Sequence, residues 1–293
     1  MLDFIMKHAM IMTCYRDADT INEMLKSYPA SFDVYIHLDK KSSVGIDDIK
    51  RDRGNLFKIQ KYRINWGGYN HVLAFLDLLK EAWSKGEYDY FHLVTGQDMF
   101  VSNERQLEAY ILEHERGTCF VENHTIPCKN YPFWDYGYGI LDYYIPSDFM
   151  DLSQKTRRGA YIYRGIKILQ KALHLTRKRP SETYYIGSVY CSLSHKAVDF
   201  ILHNQFSLRV LKRLKYTLCG EGVFFPTVAM YSGCPVTGKN LTYVDWNDPV
   251  DRPKILVERD YGKWGEEKFF IRKIDKQRSY KLIELINKNL VNK

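Results

Sequence analysis

The first half of the sequence alternates short apolar runs with segments of helical periodicity, and this alternation restricts the fold more than any other feature. The runs KHAMIMTCY, FDVYIHLD, NLFKIQ and YDYFHLVTG predict strands. Apolar residues at helical spacing predict an amphipathic helix over 70–84, and further helices are expected over about 19–28 and 104–114. Strands that alternate with helices are typical of a mostly parallel sheet. We therefore expect an α/β protein with a Rossmann-like sheet flanked by helices.

The second half of the sequence has less regular patterns. TCFVEN and LTYVDW predict strands. Helices are expected after Ser194 as an N-cap, from Glu221 onward and, after FFIRKID, at the end of the chain. The aromatic segment 131–144 has too many rings and glycines to form a regular element. With 293 residues, the chain is long enough for one large domain or two small ones.

The formal net charge of +8 favours an anionic partner, and nucleic acid, an anionic bilayer and a nucleotide-linked substrate all fit it. The basic residues form a spread-out surface bias without a recognition-helix or RNP-type signature, so we expect no nucleic-acid partner. No run reaches the roughly 18 apolar residues of a membrane span. Six cysteines without metal-ligand spacing predict reduced, mostly buried thiols. We therefore expect a cytoplasmic protein.

Three predicted strands end in or near an acid, at Asp39, Asp98 and Asp245. Open α/β sheets bind ligands outside the carboxyl ends of their strands, where such acids can hold uracil or ribose hydroxyls. Any single one of them could equally be a turn-forming aspartate. The three together favour a nucleotide site.

The phosphate side of this site has no familiar motif. GxGxxG followed by a helix and GxxxxGK[ST] are both missing from the sequence. The only Asp-x-Asp, at 17–19, is more simply the acidic start of a helix. At the later strand end a metal-using sugar transferase would carry an acid pair, whereas this chain has only Gln97 and Asp98. Without a metal, fixed cations must stabilise a leaving diphosphate; Arg252 and the pair Arg272 and Lys273 are candidates, and solvated surface charge is the alternative.

As a set, KHAMIM, FDVYIHLDKKS, INWGGYNHVLAFLDLL, DYFHLVTGQDMFV, GSVYCSLSHKAVDFIL, EGVFFPT, LTYVDW and FFIRKID resemble the core-2/I-branching N-acetylglucosaminyltransferase family, which includes the peptide O-xylosyltransferases. The resemblance covers nearly the whole chain. It implies a GT-A-like fold and an inverting, metal-independent transfer from a UDP-sugar, with no cofactor besides this donor substrate. It also implies one domain over 1–293, with a nucleotide-sugar-binding half at 1–116 and an acceptor-binding and catalytic half at 117–293.

The resemblance assigns donor-side roles to matching residues. Asp39 of HLDKK resembles the acid that contacts the uridine, and Asp98 of GQD lies at the strand end beside the donor. Arg252 and Lys273 match the two basic residues that replace a metal at the diphosphate, and Arg272 adjoins Lys273.

On the acceptor side, Trp246 of VDW, preceded by Asp245, resembles an aromatic that contacts the acceptor. The stretch CGEGVFFPT departs from the family pattern, because an ungapped alignment places Glu221 on an acid that precedes the general base and Gly222 on the base itself. Glycine cannot accept a proton. Either Glu221 serves as the base or the protein is a weakened or inactive member. We favour Glu221, since inverting transfer needs a carboxylate near the acceptor.

These expectations combine into one function. The chain would move a sugar of the GlcNAc or xylose class from UDP to a hydroxyl of a glycan or lipid-linked glycan, in bacterial surface polysaccharide or glycoconjugate synthesis. Animal members carry a membrane anchor, and this sequence shows none, so peripheral contact with an anionic membrane at the inner face of the plasma membrane would fit the basic surface. The alternative is an impaired member that only binds a UDP-sugar or glycan.

Overall fold

The first half of the chain follows the predicted alternation. The computed structural model describes residues 6–86, 88–129, 135, 137–153, 156–247 and 253–291. Its elements up to residue 116 are β1 (His8–Cys14), α1 (Ala18–Ser27), β2 (Asp33–Leu38), β3 (Leu56–Ile59), α2 (Tyr69–Lys85), β4 (Tyr90–Thr95), β5 (Met99–Phe100) and α3 (Glu104–Leu112). All four strands and three helices predicted here are confirmed, with every end within two residues of the predicted one.

The second half contains more helix than the sequence patterns predict. Its elements are β6 (Cys119–Glu122), β7 (His124–Thr125), α4 (Tyr138–Leu141), α5 (Arg157–Ala172), β8 (Tyr185–Ile186), β9 (Ser192–Ser194), α6 (His195–His203), α7 (Gln205–Leu214), α8 (Glu221–Tyr231), β10 (Val236–Gly238), β11 (Thr242–Val244), β12 (Phe270–Arg272) and α9 (Tyr280–Val291). Helices α5 and α7 were not predicted. Part of segment 131–144 lies outside the described residues, and the expectation of no regular element there is wrong for α4.

The central sheet has seven strands in the order β10-β6-β9-β4-β1-β2-β3. Strands β3, β2, β1 and β4 are mutually parallel, β9 is antiparallel to β4 and β6, and β10 is parallel to β6. The expected mostly parallel α/β sheet is therefore confirmed. A second sheet has the order β11-β12-β5, with β11 and β12 parallel, and β7 pairs with β8. Strands from both halves of the chain share the central sheet.

The core lies on both faces of this sheet because its central strands are buried on both sides. Alternate residues of β1 point to opposite faces. Ala9 and Ile11 join a cluster with apolar residues of α2, α6 and α8. Met10 and Met12 join a second cluster with apolar residues of α1, α3 and the smaller sheet. The helices that frame the site are thus fixed by packing on the sheet.

Two helix starts show how local chemistry sets element boundaries. Asp17 is the N-cap of α1, and its Oδ1 accepts a hydrogen bond from Thr20 N at 3.3 Å, so the Asp-x-Asp is the start of a helix as expected. Ser194 stands at the N-cap position of α6, but its side chain makes no capping hydrogen bond. Its hydroxyl donates instead to Cys234 Sγ at 3.6 Å. The boundary is right and the predicted cap is wrong.

All six cysteines are free, four of them buried and two partly buried. Within the described ranges, no helix has both the length and the apolar character that crossing a bilayer requires.

Candidate active site

The candidate site lies where the carboxyl ends of β1 and β4 meet. The chain runs from β1 to β2 and β3 on one side and then returns to β4 on the other side of β1. This change of direction is a topological switch point, and open α/β sheets bind ligands in the crevice outside the strand ends there. Thr13 of β1 is paired in register with Thr95 of β4. Each of these threonines takes part in one of two polar networks.

The first network connects Thr13, His71 and Glu221. His71 lies in the first turn of α2, and Glu221 is the first residue of α8. Thr13 Oγ1 and His71 Nε2 are 3.1 Å apart, and His71 Nδ1 is 3.4 Å from Glu221 Oε1. When His71 Nδ1–H donates to the carboxylate, Nε2 accepts the proton of the Thr13 hydroxyl. The network therefore orients the Glu221 carboxylate.

The second oxygen of Glu221 is the chemically important one. The side chain is 13% exposed, and Oε2 is buried without a hydrogen-bond partner among the described residues. Buried carboxylate oxygens are normally hydrogen-bonded, and an unpaired one calls for an explanation. Because this oxygen is shielded from solvent, an incoming hydroxyl can donate to it only after the residues that cover it move.

The backbone around Glu221 explains the second glycine of CGEGVFFPT, Gly222. Pro226 lies inside α8 and has no N–H, so the carbonyl of Gly222 four residues earlier lacks its helical partner. That carbonyl accepts a hydrogen bond from Gly187 N at 2.9 Å. A Cβ at Gly222 would lie only 2.9 Å from Gly187 O. Position 222 thus packs against backbone, whereas the side chain at position 221 lies beside His71.

The second network connects Thr95, Asp98 and Arg272. Asp98 is fully buried, and its carboxylate accepts hydrogen bonds from Thr95 N at 2.6 Å and from Arg272 Nη1 at 2.6 Å. Arg272 Nη1 also donates to Thr95 Oγ1. Burial raises the pKa of Asp98, and the Arg272 guanidinium and the Thr95 donors oppose this rise. The geometry gives Asp98 the role of holding Arg272. A direct contact between Asp98 and the sugar-nucleotide substrate stays a prediction.

Tyr190 lies between the two networks. The Arg272 guanidinium carbon is 4.5 Å from the centre of the Tyr190 ring. Burial raises the pKa of the Tyr190 hydroxyl, Arg272 opposes this rise, and the charges of Asp98 and Glu221 add to it. Arg272 Nε is buried without a partner in the described part of the chain. The crevice thus combines a carboxylate, a phenol and a fixed cation.

Asp39 lies at the carboxyl end of β2, beside β1. Its N–H donates to Cys14 O at 2.8 Å, and its Oδ1 accepts from Lys41 N at 2.8 Å and Ile64 N at 3.2 Å. Lys41 Nζ is 3.9 Å from Oδ2. Asp39 therefore has the turn-forming role that was the alternative, and the uridine contact remains a prediction.

The remaining predicted residues lie at the end of the smaller sheet. Val244 of β11 is paired with Arg272 of β12, so Asp245 and Trp246 leave the sheet at the same end as Lys273. Trp246 is 59% exposed. Asp245 accepts from Asn247 N at 2.9 Å and lies 3.7 Å from Lys254 Nζ, an ion pair separate from both networks.

Arg252 lies outside the described residues. Among those described, no group of three or more His, Cys, Asp or Glu side chains is arranged to hold a metal ion.

Four residues of the site were not predicted: Thr13, His71, Thr95 and Tyr190. The two threonines are polar positions at the ends of apolar strands, which is a usable signal. His71 begins a helix whose periodicity draws attention to its apolar residues, and Tyr190 is one of 23 tyrosines, so neither stands out in the sequence.

Comparisons with known proteins bear on this geometry. Residues 10–275 match the family model described as core-2/I-branching enzyme. No protein of curated function matches the chain significantly. Among solved structures, residues 1–349 of S. aureus TarS are 21% identical with a TM-score of 0.30, and the match covers 40% of this chain and 35% of that chain.

Two further structures match over most of their length. Mouse xyloside xylosyltransferase 1 is 10% identical with a TM-score of 0.40, covering 90% of this chain and 97% of the mouse chain. The inositol-1-phosphate CTP transferase from T. maritima is 10% identical with a TM-score of 0.37, covering 97% and 96%. The structural similarities are weak, and the family match over 10–275 carries the assignment. The chain belongs to the core-2/I-branching enzyme family.

Proposed function

We propose that this protein is an inverting, metal-independent glycosyltransferase that moves a sugar of the GlcNAc or xylose class from UDP to a hydroxyl of a glycan acceptor. The observation that carries this proposal is the Glu221 carboxylate at the switch point, oriented by His71 and Thr13 and with Oε2 unpaired. A base oriented by a third group is the arrangement that acid–base catalysis uses.

In this reaction the acceptor hydroxyl donates its proton to Glu221 Oε2 as its oxygen attacks the anomeric carbon. The bond between that carbon and the acceptor oxygen forms on the face opposite the bond to UDP, which breaks. The leaving diphosphate carries the negative charge away from the sugar. Its stabilisation by a cation fixed in advance costs no reorganisation during the reaction.

Arg272 supports the part of the proposal that dispenses with a metal. Its guanidinium is held by Asp98, Thr95 and the ring of Tyr190, so the cation is fixed at the end of β4. Lys273 and Arg252 are proposed to share the diphosphate. Asp39 is proposed on the uridine side, and Trp246 with Asp245 on the acceptor side.

The second candidate is an impaired member that binds a UDP-sugar or glycan without transfer, because Gly222 stands where the family carries its base. The packing of Gly222 against Gly187 O weighs against this candidate. A side chain at 222 would meet backbone, and the carboxylate beside His71 belongs to Glu221.

A UDP-sugar panel measured with and without EDTA tests the proposal. We expect turnover of at least one UDP-sugar, with equal rates in both conditions and an inverted anomeric configuration in the product. Turnover that disappears in EDTA and returns with manganese would refute metal independence. Binding of UDP-sugars without any turnover would support the impaired member instead.

A further inference from the structure

One long segment of this protein is basic and carries no acid. Residues 152–181 carry nine Lys or Arg and no Asp or Glu, while the rest of the chain carries 34 basic and 35 acidic residues. The segment therefore has a charge of +9 and the rest of the chain a charge of −1, which together give the net charge of +8. The segment contains α5, and a second basic stretch follows at 272–293, with seven Lys or Arg and two acids.

Helix α5 has two faces of different character. Its inner face, Gly159, Tyr163, Ile166 and Gln170, is buried or partly buried and packs against a small cluster that includes Leu218. The opposite face follows the same helical spacing through Tyr161, Gly165, Ile168 and Ala172, and all four are exposed. No described element covers this outer face.

The outer face combines large apolar side chains with cations. Tyr161 is 71% exposed and Ile168 is 69% exposed, and three exposed leucines continue the apolar surface at Leu169, Leu173 and Leu175. Three cations, Arg157, Arg164 and Lys171, are exposed beside them. A helix with exposed aromatic and aliphatic residues flanked by Lys and Arg is typical of helices that lie in the interface of a bilayer.

A cationic cavity lies near the C-terminal end of α5, where Gln170 is hydrogen-bonded to the backbone of Tyr144. It has a volume of about 410 Å³ and is lined by Tyr144, Arg177, Lys178, Arg209, Lys212 and Arg213, with no acid among the lining residues. Arg177 donates to Thr217 Oγ1 at 2.9 Å, and Arg213 Nη2 donates to Lys178 O at 3.0 Å, so two guanidinium groups are held close together. Burial and the neighbouring Arg213 lower the pKa of Arg177 to about 10. Crowded cations of this kind are relieved by an anion.

We propose that the outer face of α5 and this cavity together form a docking surface for an anionic lipid bilayer. The cations would meet the phosphates of the headgroups, and the exposed apolar side chains would enter the boundary between headgroups and acyl chains. The aliphatic residues favour a bilayer over nucleic acid, whose backbone offers phosphates but no apolar layer.

The position of this surface fits a membrane-bound acceptor. The inner face of α5 packs on Leu218 and Cys219, which lead directly into Glu221. The inference deepens the proposed function by adding that the glycan acceptor is carried on a lipid, and it rests on that function only for the transfer of a sugar to a glycan. Docking itself does not depend on transfer.

Co-sedimentation with vesicles tests the surface. The full chain is mixed with vesicles of phosphatidylcholine alone, or of phosphatidylcholine and phosphatidylglycerol in equal parts, at low and high salt. We expect sedimentation with the anionic vesicles only, weakened by salt. The variant Arg157→Gln/Arg164→Gln/Lys171→Gln should partition about 100-fold more weakly, since each cation near the surface contributes about a factor of five. Ile168→Ser/Leu169→Ser should weaken partition about tenfold.

The matched control is Lys50→Gln/Lys80→Gln/Lys288→Gln, which removes the same charge from exposed positions outside the segment. It should sediment almost like the parent. Equal losses in both triple variants, or unchanged sedimentation of the α5 variants, would overturn the proposal. Binding to generic duplex DNA that is lost with the α5 cations, without vesicle binding, would assign the surface to nucleic acid.

UDP-sugar turnover measured on the same variants without vesicles separates the two proposals. Lost sedimentation with unchanged turnover supports docking by α5. If no variant and no parent protein turns over any UDP-sugar while sedimentation behaves as expected, the proposed function fails and the docking surface stands.

Discussion

At the scale of single residues, the structure distinguishes the surroundings of Glu221 from those of its neighbour Gly222. The carboxylate shares a network with His71 and Thr13, whereas the Cα of Gly222 faces a backbone oxygen. Gly222 allows close backbone packing, whereas a Cβ at Gly220 would come no closer than 3.5 Å to its neighbours, and the charge at the start of α8 is available for chemistry.

The variant Glu221→Gln tests the base directly. The amide keeps the shape of the side chain but cannot accept the proton, so transfer should fall by roughly 10²–10⁴ while UDP binding stays the same. Steady-state transfer and calorimetric UDP binding measure the two effects. Nearly unchanged turnover would mean that Glu221 is only a helix N-terminal charge.

The companion variant is Gly222→Glu, which restores the family pattern. We expect it to lose stability without gaining transfer, because its Cβ would lie 2.9 Å from Gly187 O. A large gain of transfer in this variant would show that the base is missing from the natural sequence.

Arg272 allows a test of the diphosphate contact. Removing it alone would leave Asp98 as a lone buried charge, which destabilises strongly. The double variant Arg272→Gln/Asp98→Asn removes the pair together. A charge-assisted hydrogen bond contributes about 1.5–3 kcal/mol, so UDP binding should weaken by about 10- to 150-fold with little change for uridine. Equal losses for UDP and uridine in titration calorimetry would assign Arg272 to the fold alone.

At the scale of elements, α8 is placed by contacts between backbones. Gly187 donates to the Gly222 carbonyl that Pro226 leaves unpaired, and a Cβ on Gly187 would lie 1.9 Å from Glu122 O. Three backbone segments therefore meet where α8 begins. This packing transmits any shift of the strand residues to Glu221.

The variant Gly187→Ala should lower the free energy of unfolding by about 1–3 kcal/mol and lower transfer as well, because the backbone must move to admit the methyl group. Gly165→Ala is the matched control, since nothing lies within 4 Å of its Cβ position and alanine favours a helix interior. It should leave stability equal or higher. Urea unfolding measures the free energy of unfolding of both variants. An equal change in the two would contradict the close backbone packing at Gly187.

The sequence predicts those elements whose buried residues are apolar and recur at regular spacing. The strands before residue 100 and helices α1, α2, α3 and α6 follow from periodicity because their apolar faces all meet the core. Helix α5 was missed since Tyr161, Ile168 and Leu169 are exposed, which hides the buried face. His71 and Tyr190 were missed because their significance depends on which strand ends meet, and that is a property of the topology.

At the scale of the whole molecule, two buried histidines join the strands at the centre of the sheet. His8 Nδ1 and His92 Nε2 are 3.0 Å apart, His92 Nδ1 lies 2.7 Å from Ser192 Oγ, and Glu108 is 4.0 Å from His8. Burial lowers the pKa of His8 to about 3, and burial, together with His8, lowers the pKa of His92 well below its usual value. Both rings are therefore neutral in the folded protein over a wide pH range.

This pair predicts the sign of the pH dependence of stability. Between the lowered pKa values of the folded state and about 6.5 in the unfolded state, only the unfolded chain binds the two protons. The free energy of unfolding should thus fall by about 2–3 kcal/mol from about pH 7.5 to about pH 5.5. Urea unfolding across this range measures the slope, which should be shallower in His92→Gln. A flat profile would contradict neutral buried histidines.

The concentration of charge in residues 152–181 also gives the molecule a large electric dipole. The remaining chain is nearly neutral as a whole, so the acid-free segment is a cationic pole of the molecule. A charged surface therefore exerts a torque on the molecule and turns this pole toward it before contact. Two variants with the same net charge would then be retained differently on a cation-exchange resin, according to whether the lost charges lay at the pole. The net charge determines how many counterions this protein attracts, and the dipole determines which side of the molecule contacts a charged surface first.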